Sequence, residues 1–132
     1  MGVFDFFSRT PKRFVSRESF ESNLVKQVAM APQTLAQLRN YDVSPEHRLK
    51  LEFFFYTNAP SKASSLAEAL GKMRYQVGHG PSASDRKLQA ITGWSSPIAM
   101  QDKVVRDWSK QMCDLGFEHD CEFDGWGTNP RQ

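Results

Sequence analysis

The run Leu51-Glu52-Phe53-Phe54-Phe55-Tyr56 narrows the choice of fold more than any other stretch of the chain. Aromatic residues suit pleated backbone, and successive side chains of a strand point to opposite faces. Read as a strand over 49–57, the segment puts Leu51, Phe53 and Phe55 on one face. The other face holds Lys50, Glu52, Phe54 and Tyr56 and is only half polar. Phe54 and Tyr56 then form either a wet aromatic patch or a surface covered by the N-terminal helices.

The periodicities on either side give the order of elements. Before the strand, Phe20, Leu24 and Val28 recur every fourth residue, which predicts a helix from Ser19 to Met30 capped by Ser16 or Ser19. Pro32 is expected to end it, and a short second helix follows over 33–40. After the strand, Ala63, Leu66, Ala67, Leu70 and Met73 form the stripe of a helix over 60–73, with Asn58 or Ser61 as cap and Pro60 in its first turn. Strands are expected over 75–79 and 87–94, joined as a hairpin by the turn-rich 80–85. Ser96-Pro97 opens a helix to about Leu115, with Val104, Trp108, Met112 and Leu115 inward, Val105 beside them and Gly116 as its left-handed stop. A last strand over 117–124 alternates Phe117, His119, Cys121 and Phe123 with Glu118, Asp120, Glu122 and Asp124. From Leu49 the order is β-α-β-β-α-β, so the expected fold is α+β, a ferredoxin-like βαββαβ sandwich with an N-terminal helical extension.

A chain of 132 residues can bury a core without disulfides or a metal. The expected organisation is a flexible arm over 1–17, one domain over 18–128 (helical extension 19–40, core 49–124) and a tail over 129–132. Seventeen basic residues against fifteen acidic ones leave a net charge of +2, which argues against a bulk nucleic-acid binder. Two cysteines are too few for a disulfide scaffold. The apolar start, Met1-Gly2-Val3-Phe4-Asp5-Phe6-Phe7, reads as neither signal peptide nor membrane span, and Gly2 lacks the myristoylation context. Phe4, Phe6, Phe7 and Phe14 are mixed with Arg9, Lys12, Arg13 and Arg17 in the arm, which either touches an anionic membrane surface or, the reading preferred here, frays or docks on its own domain. The expected compartment is the cytoplasm.

Chemistry has few places to sit. The four carboxylates Glu118, Asp120, Glu122 and Asp124 share one face of the expected last strand, about 7 Å apart by the strand rise. Neighbouring carboxylates can act as acid and base or hold a hard cation, but no recognised catalytic or cation-loop pattern accompanies them. The row reads instead as an acidic surface for a basic partner. His119, Cys121 and Cys113 are soft donors without a CxxC pair, and a buried thiol acting as a small hydrophobe is preferred. No phosphate-cradling loop and no RNA-recognition aromatic motif is present. No cofactor and no metal is expected. Trp126, between Gly125 and Gly127, is either a C-terminal clasp or an exposed hot spot.

Phe123-Asp124-Gly125-Trp126-Gly127-Thr128 resembles the terminal Tyr/Phe-Asp-Gly-Trp-Gly-Thr signature of the ribonuclease E inhibitor (regulator of ribonuclease activity B) family. The run 51–56, Ile91-Thr92-Gly93-Trp94, and Trp108 through Met112-Cys113-Asp114-Leu115-Gly116-Phe117 are similar to that family's first strand, third strand and last helix. The resemblance covers about 19–128 and implies a cytoplasmic bacterial protein of ferredoxin-like fold. It further implies a non-catalytic protein that binds ribonuclease E, or another component of its degradosome, and lowers RNA cleavage by occlusion. It assigns no catalytic residue; Asp124, Gly125, Trp126 and Gly127 form its signature. The candidate partner contacts are Glu118, Asp120, Glu122, Asp124, Trp126, Phe54 and Tyr56. The alternative is an interaction module of the same fold with an unrelated target, homodimeric through Phe54 and Tyr56.

Overall fold

The computed structural model describes residues 12–132. Phe4, Phe6, Phe7 and Arg9 of the expected arm lie outside the described residues.

The chain enters through helix α1 (Arg17–Arg39), whose first turn is capped by Ser16: its Oγ accepts from the Ser19 amide at 3.0 Å. The two short helices expected on either side of Pro32 are one helix of 23 residues. Proline removes one backbone donor and crowds the preceding turn, yet burial on both sides of it holds the helix together. Gln27 and Ala31 are buried before it, and Leu35 and Leu38 after it.

Two-residue strand β1 (Arg48–Leu49) precedes strand β2 (Leu51–Thr57), so the expected strand over 49–57 is broken at Lys50. Leu51, Phe53 and Phe55 are completely buried, while Glu52, Phe54 and Tyr56 are half-buried. Helix α2 (Pro60–Lys72) follows, with Ala59 rather than Asn58 or Ser61 at its cap position and no side-chain cap bond. Strands β3 (Gln76–Pro81) and β4 (Gln89–Trp94) make the expected hairpin, and β3 runs on through Gly80 and Pro81.

Ser96-Pro97 does not open a helix. Residues Ile98–Ala99 form β5, which pairs antiparallel with β1, and helix α3 (Asp102–Glu118) starts afterwards. Its buried face is also rotated from the expected one. Val105, Trp108, Ser109, Met112, Cys113 and Gly116 face the core, and Val104 is 36% exposed. Gly116 is inside the helix, not at its stop. A Cβ there would lie 2.8 Å from the Cys121 carbonyl and 2.9 Å from the Phe55 ring, so the residue is needed for close approach.

The stop is Asp120, with φ of +56°. The Cys121 amide returns to the Gly116 carbonyl at 2.7 Å and the Asp120 amide to Phe117 at 3.1 Å, a Schellman closure with Asp120 at its left-handed position. Strand β6 is therefore Glu122–Thr128, five residues later than expected at its start.

The main sheet has the order β3-β4-β2-β6 with every neighbouring pair antiparallel. The three helices of the described residues gather on the face that carries Phe53, Phe55, Ile91 and Phe123. The result is an α+β fold in which α1 packs on α3 beside the sheet. No described helix is long and apolar enough to cross a membrane.

Candidate functional site

The carboxylate row does not exist as a surface. The helix of α3 takes Glu118, the left-handed turn takes Asp120, and a bulge separates Glu122 from Asp124. Asp120 is nearly buried and fully engaged. Its carboxylate accepts from the Phe14 and Val15 amides, each at 2.8 Å, and from Lys62 Nζ at 2.7 Å, with Arg13 at 3.5 Å. Burial pushes its pKa up, but the Lys62 hydrogen bond and the two amides outweigh burial and leave it below its ordinary value.

Asp120 is thus an anchor for the lead-in to α1. The Arg13 guanidinium donates to the Phe117 carbonyl and lies 4.2 Å from the Phe117 ring centre, with Phe20 stacked at 4.3 Å. Residues 13–15 are docked on the domain through this cluster, and Val15 is 4% exposed. Lys62 was not among the sequence candidates. Nothing in its local pattern marks it, because its partner is 58 residues away.

Trp126 points inward. It sits opposite Phe53 in the β2–β6 register and meets Trp108 edge-on at 6.3 Å, so it closes the core as a clasp. The register shift between Phe54 and Phe55 leaves Asp124 as the extra residue, exposed at the sheet edge. Gly125, with φ of +128°, supplies the backbone conformation that the bulge needs.

The side of the sheet that no described element covers brings together Phe54, Tyr56 and Glu122, three of the seven candidates. Register places Thr92 opposite Phe54, Trp94 opposite Glu52, and Glu122 opposite Tyr56. Gly125 lies beside Phe54 and Gly127 beside Glu52, so the β6 side of this surface is nearly free of side chains. Phe54, Tyr56, Thr92 and Trp94 are all half-buried. Glu52 lies on this surface as the alternation over 49–57 placed it, and Trp94 joins it although sequence reasoning did not single it out. The alternation Ala90-Thr92-Trp94 was the available signal.

Other reactive groups are occupied or quenched. Burial, with help from the Asp114 and Glu122 charges, pushes the Cys113 thiol up to about 12, and burial pushes Cys121 to about 11. His119 Nδ1 lies 2.8 Å from Ser65 Oγ at the end of α3. Nucleophilic catalysis would also require a group orienting the imidazole, and no such partner for His119 occurs among the described residues. No cluster of three or more metal-ligating side chains occurs among the described residues. Glu118 lines a shallow depression of about 430 Å³ with Asp107, Lys110 and Asp114, a mixed-charge surface on α3.

Residues 29–128 match the model of the family described as regulator of ribonuclease activity B. The chain belongs to that family. The match begins within α1 and ends at Thr128, so it takes in the Asp124–Gly127 segment and the whole four-stranded sheet. The Asp120 anchor lies within the span matched to the regulator of ribonuclease activity B family, while its amide donors at residues 14 and 15 lie before it. No curated protein matches the chain. Membership of the regulator of ribonuclease activity B family implies a role in regulating ribonuclease activity.

Proposed function

We propose that this protein is a non-catalytic cytoplasmic regulator that inhibits ribonuclease E-type RNA decay by binding the enzyme or a component of its assembly. The family match over 29–128 carries the reading. The β-α-β-β-α-β order of the core and the sheet order β3-β4-β2-β6 support a ferredoxin-like description of the scaffold. The contact surface in this reading is the uncovered sheet side with Phe54, Tyr56 and Trp94, rimmed by Glu52 and Glu122. Aromatic side chains in a partly exposed cluster are the residue types that dominate binding energy at interfaces. The two carboxylates oppose RNA phosphates and favour a basic protein surface. Protonated thiols, a carboxylate held by Lys62 and an unassisted Ser65–His119 pair support occlusion over chemistry.

A second reading is an interaction module with an unrelated target, assembled as a homodimer through Phe54 and Tyr56. It is favoured by the same uncovered aromatics, which a second copy would bury. The full chain is to be mixed with purified ribonuclease E and a labelled RNA. The proposal expects co-elution and cleavage that falls with added protein to a plateau. A saturating excess that neither co-elutes nor slows cleavage overturns it, and a stable dimer under the same conditions selects the second reading.

A further inference from the structure

The two edges of the main sheet are treated differently. Along β6 the edge is interrupted by the Asp124 bulge, and α1 reaches across it: Asn23 Nδ2 donates to the Phe123 carbonyl at 2.8 Å, and Gln27 Nε2 to the same oxygen at 3.5 Å. An edge so occupied cannot accept another strand. Along β3, among the described residues, no backbone or side-chain hydrogen bond reaches 76–81 except the ladder to β4.

The ladder fixes which groups remain available. The Ser82 amide donates to the Leu88 carbonyl at 2.8 Å, continuing the β3–β4 pairing by one rung. Antiparallel pairs alternate between bonded and non-bonded, so Gly78 and Gly80 turn their main-chain groups toward β4, and Val77 and His79 turn theirs outward. Pro81, the next outward position, has no amide to offer. Nothing lies within 4 Å of a Cβ built at Gly78 or Gly80, so the sheet face beside this edge has room for the side chains of an added strand.

Cations bracket this edge. Arg74 precedes it, and Arg86 and Lys87 stand in the turn at its far end, all three exposed and without an ion pair among the described residues. Asp85 is the acid of that turn, and its carboxylate accepts from the Lys87 amide.

We propose that the outer edge of β3 docks an extended, acidic segment of another protein, added as a fifth strand bonded to the main chain of Val77 and His79. Its carboxylates meet Arg74, Arg86 and Lys87. Strand addition draws affinity from main-chain bonds and specificity from flanking side chains, and here the flanks select negative charge. A second copy pairing β3 with β3 about a two-fold axis sets Arg74 of each chain toward the basic turn of the other, which the charge disfavours. The proposal stands whether or not ribonuclease E is the partner.

The test uses the full chain, isotope-labelled, and three capped decapeptides: alternating Val-Glu, alternating Val-Lys, and the Val-Glu peptide N-methylated at every second residue. Before any addition the Val77 and His79 amides are expected to exchange quickly with solvent, and those of Gly78 and Gly80 slowly. The Val-Glu peptide is expected to bind saturably and slow exchange at Val77 and His79. The other two should bind at least tenfold more weakly. His79→Pro removes one outward amide, leaves the β4 ladder intact, and should lower Val-Glu affinity at least tenfold at an unchanged unfolding midpoint. If that variant is unstable, Arg86→Glu with Lys87→Glu takes its place with the same expected loss. Equal binding of Val-Glu and Val-Lys, or no binding of Val-Glu at millimolar concentration, overturns the proposal. So does slow exchange at Val77 and His79 in the free protein, which would mean that a second copy or the chain's first eleven residues already fill the edge.

Discussion

Asp120 shows how far a side chain's role depends on backbone it has not yet met in sequence. Alternation placed it outward on a strand between two other acids; the left-handed turn after α3 instead aims it at the Phe14 and Val15 amides and at Lys62. Asp120→Asn keeps the shape and removes the charge, and should cost about 1.5–3 kcal/mol at neutral pH, the range for hydrogen bonds to a charged group. The pKa of Asp120 in the folded chain lies below its ordinary value of 3.8, so the stabilisation is whole above about pH 4 and is lost as pH falls through the folded value. Urea unfolding of both proteins at pH 7 and pH 2 should therefore show a gap that narrows at the lower pH. A gap of equal size at both would mean that packing, not charge, is what the substitution removes. The two glycines around Trp126 also separate at this scale. Gly125→Ala must adopt a φ of +128° with a side chain and should lose about 1–3 kcal/mol. Gly127→Ala meets nothing within 4 Å and should stay within about 0.5 kcal/mol in thermal unfolding.

At the scale of elements, what was legible followed from repeated local patterns. The alternation over 51–57, the stripe of α2 and the β3–β4 hairpin were all readable because each element's core residues lie close together in the chain. Helix ends were not. Glycine was expected to mark the stop of α3, whereas Asp42, Arg74 and Asp120 take positive φ just past the ends of α1, α2 and α3. Such residues adopt that conformation only because the next element must turn back onto the core, a constraint set by tertiary contacts. Pro32 misled for the same reason. Its local penalty is real, but burial of Gln27 and Ala31 on one side and of Leu35 and Leu38 on the other outweighs it. Pro32→Ala should consequently raise stability by about 1–3 kcal/mol, seen as a higher unfolding midpoint with undiminished helix content by circular dichroism. A lower midpoint would indicate that the proline stabilises α1.

For the whole molecule, the sheet divides the candidate residues by side. The helix-covered side absorbs Trp126 into the core, the turn after α3 absorbs Asp120, and the uncovered side keeps Phe54, Tyr56 and Glu122 together with Trp94. Sequence alternation found Phe54 and Tyr56 because both lie on one strand; it could not join Trp94 to them, since that needs the β2–β4 register. The family was readable from the 123–128 signature, and the match over 29–128 bears it out. The account turns on whether this uncovered aromatic side is where a ribonuclease is met. The most direct measurement is the equilibrium affinity for purified ribonuclease E of the wild-type chain and of the double variant Tyr56→Ser with Trp94→Ser, after thermal unfolding has shown both to be folded. The account expects the variant to bind at least tenfold more weakly. Equal affinity of two folded proteins, or no affinity in the wild type, would contradict it.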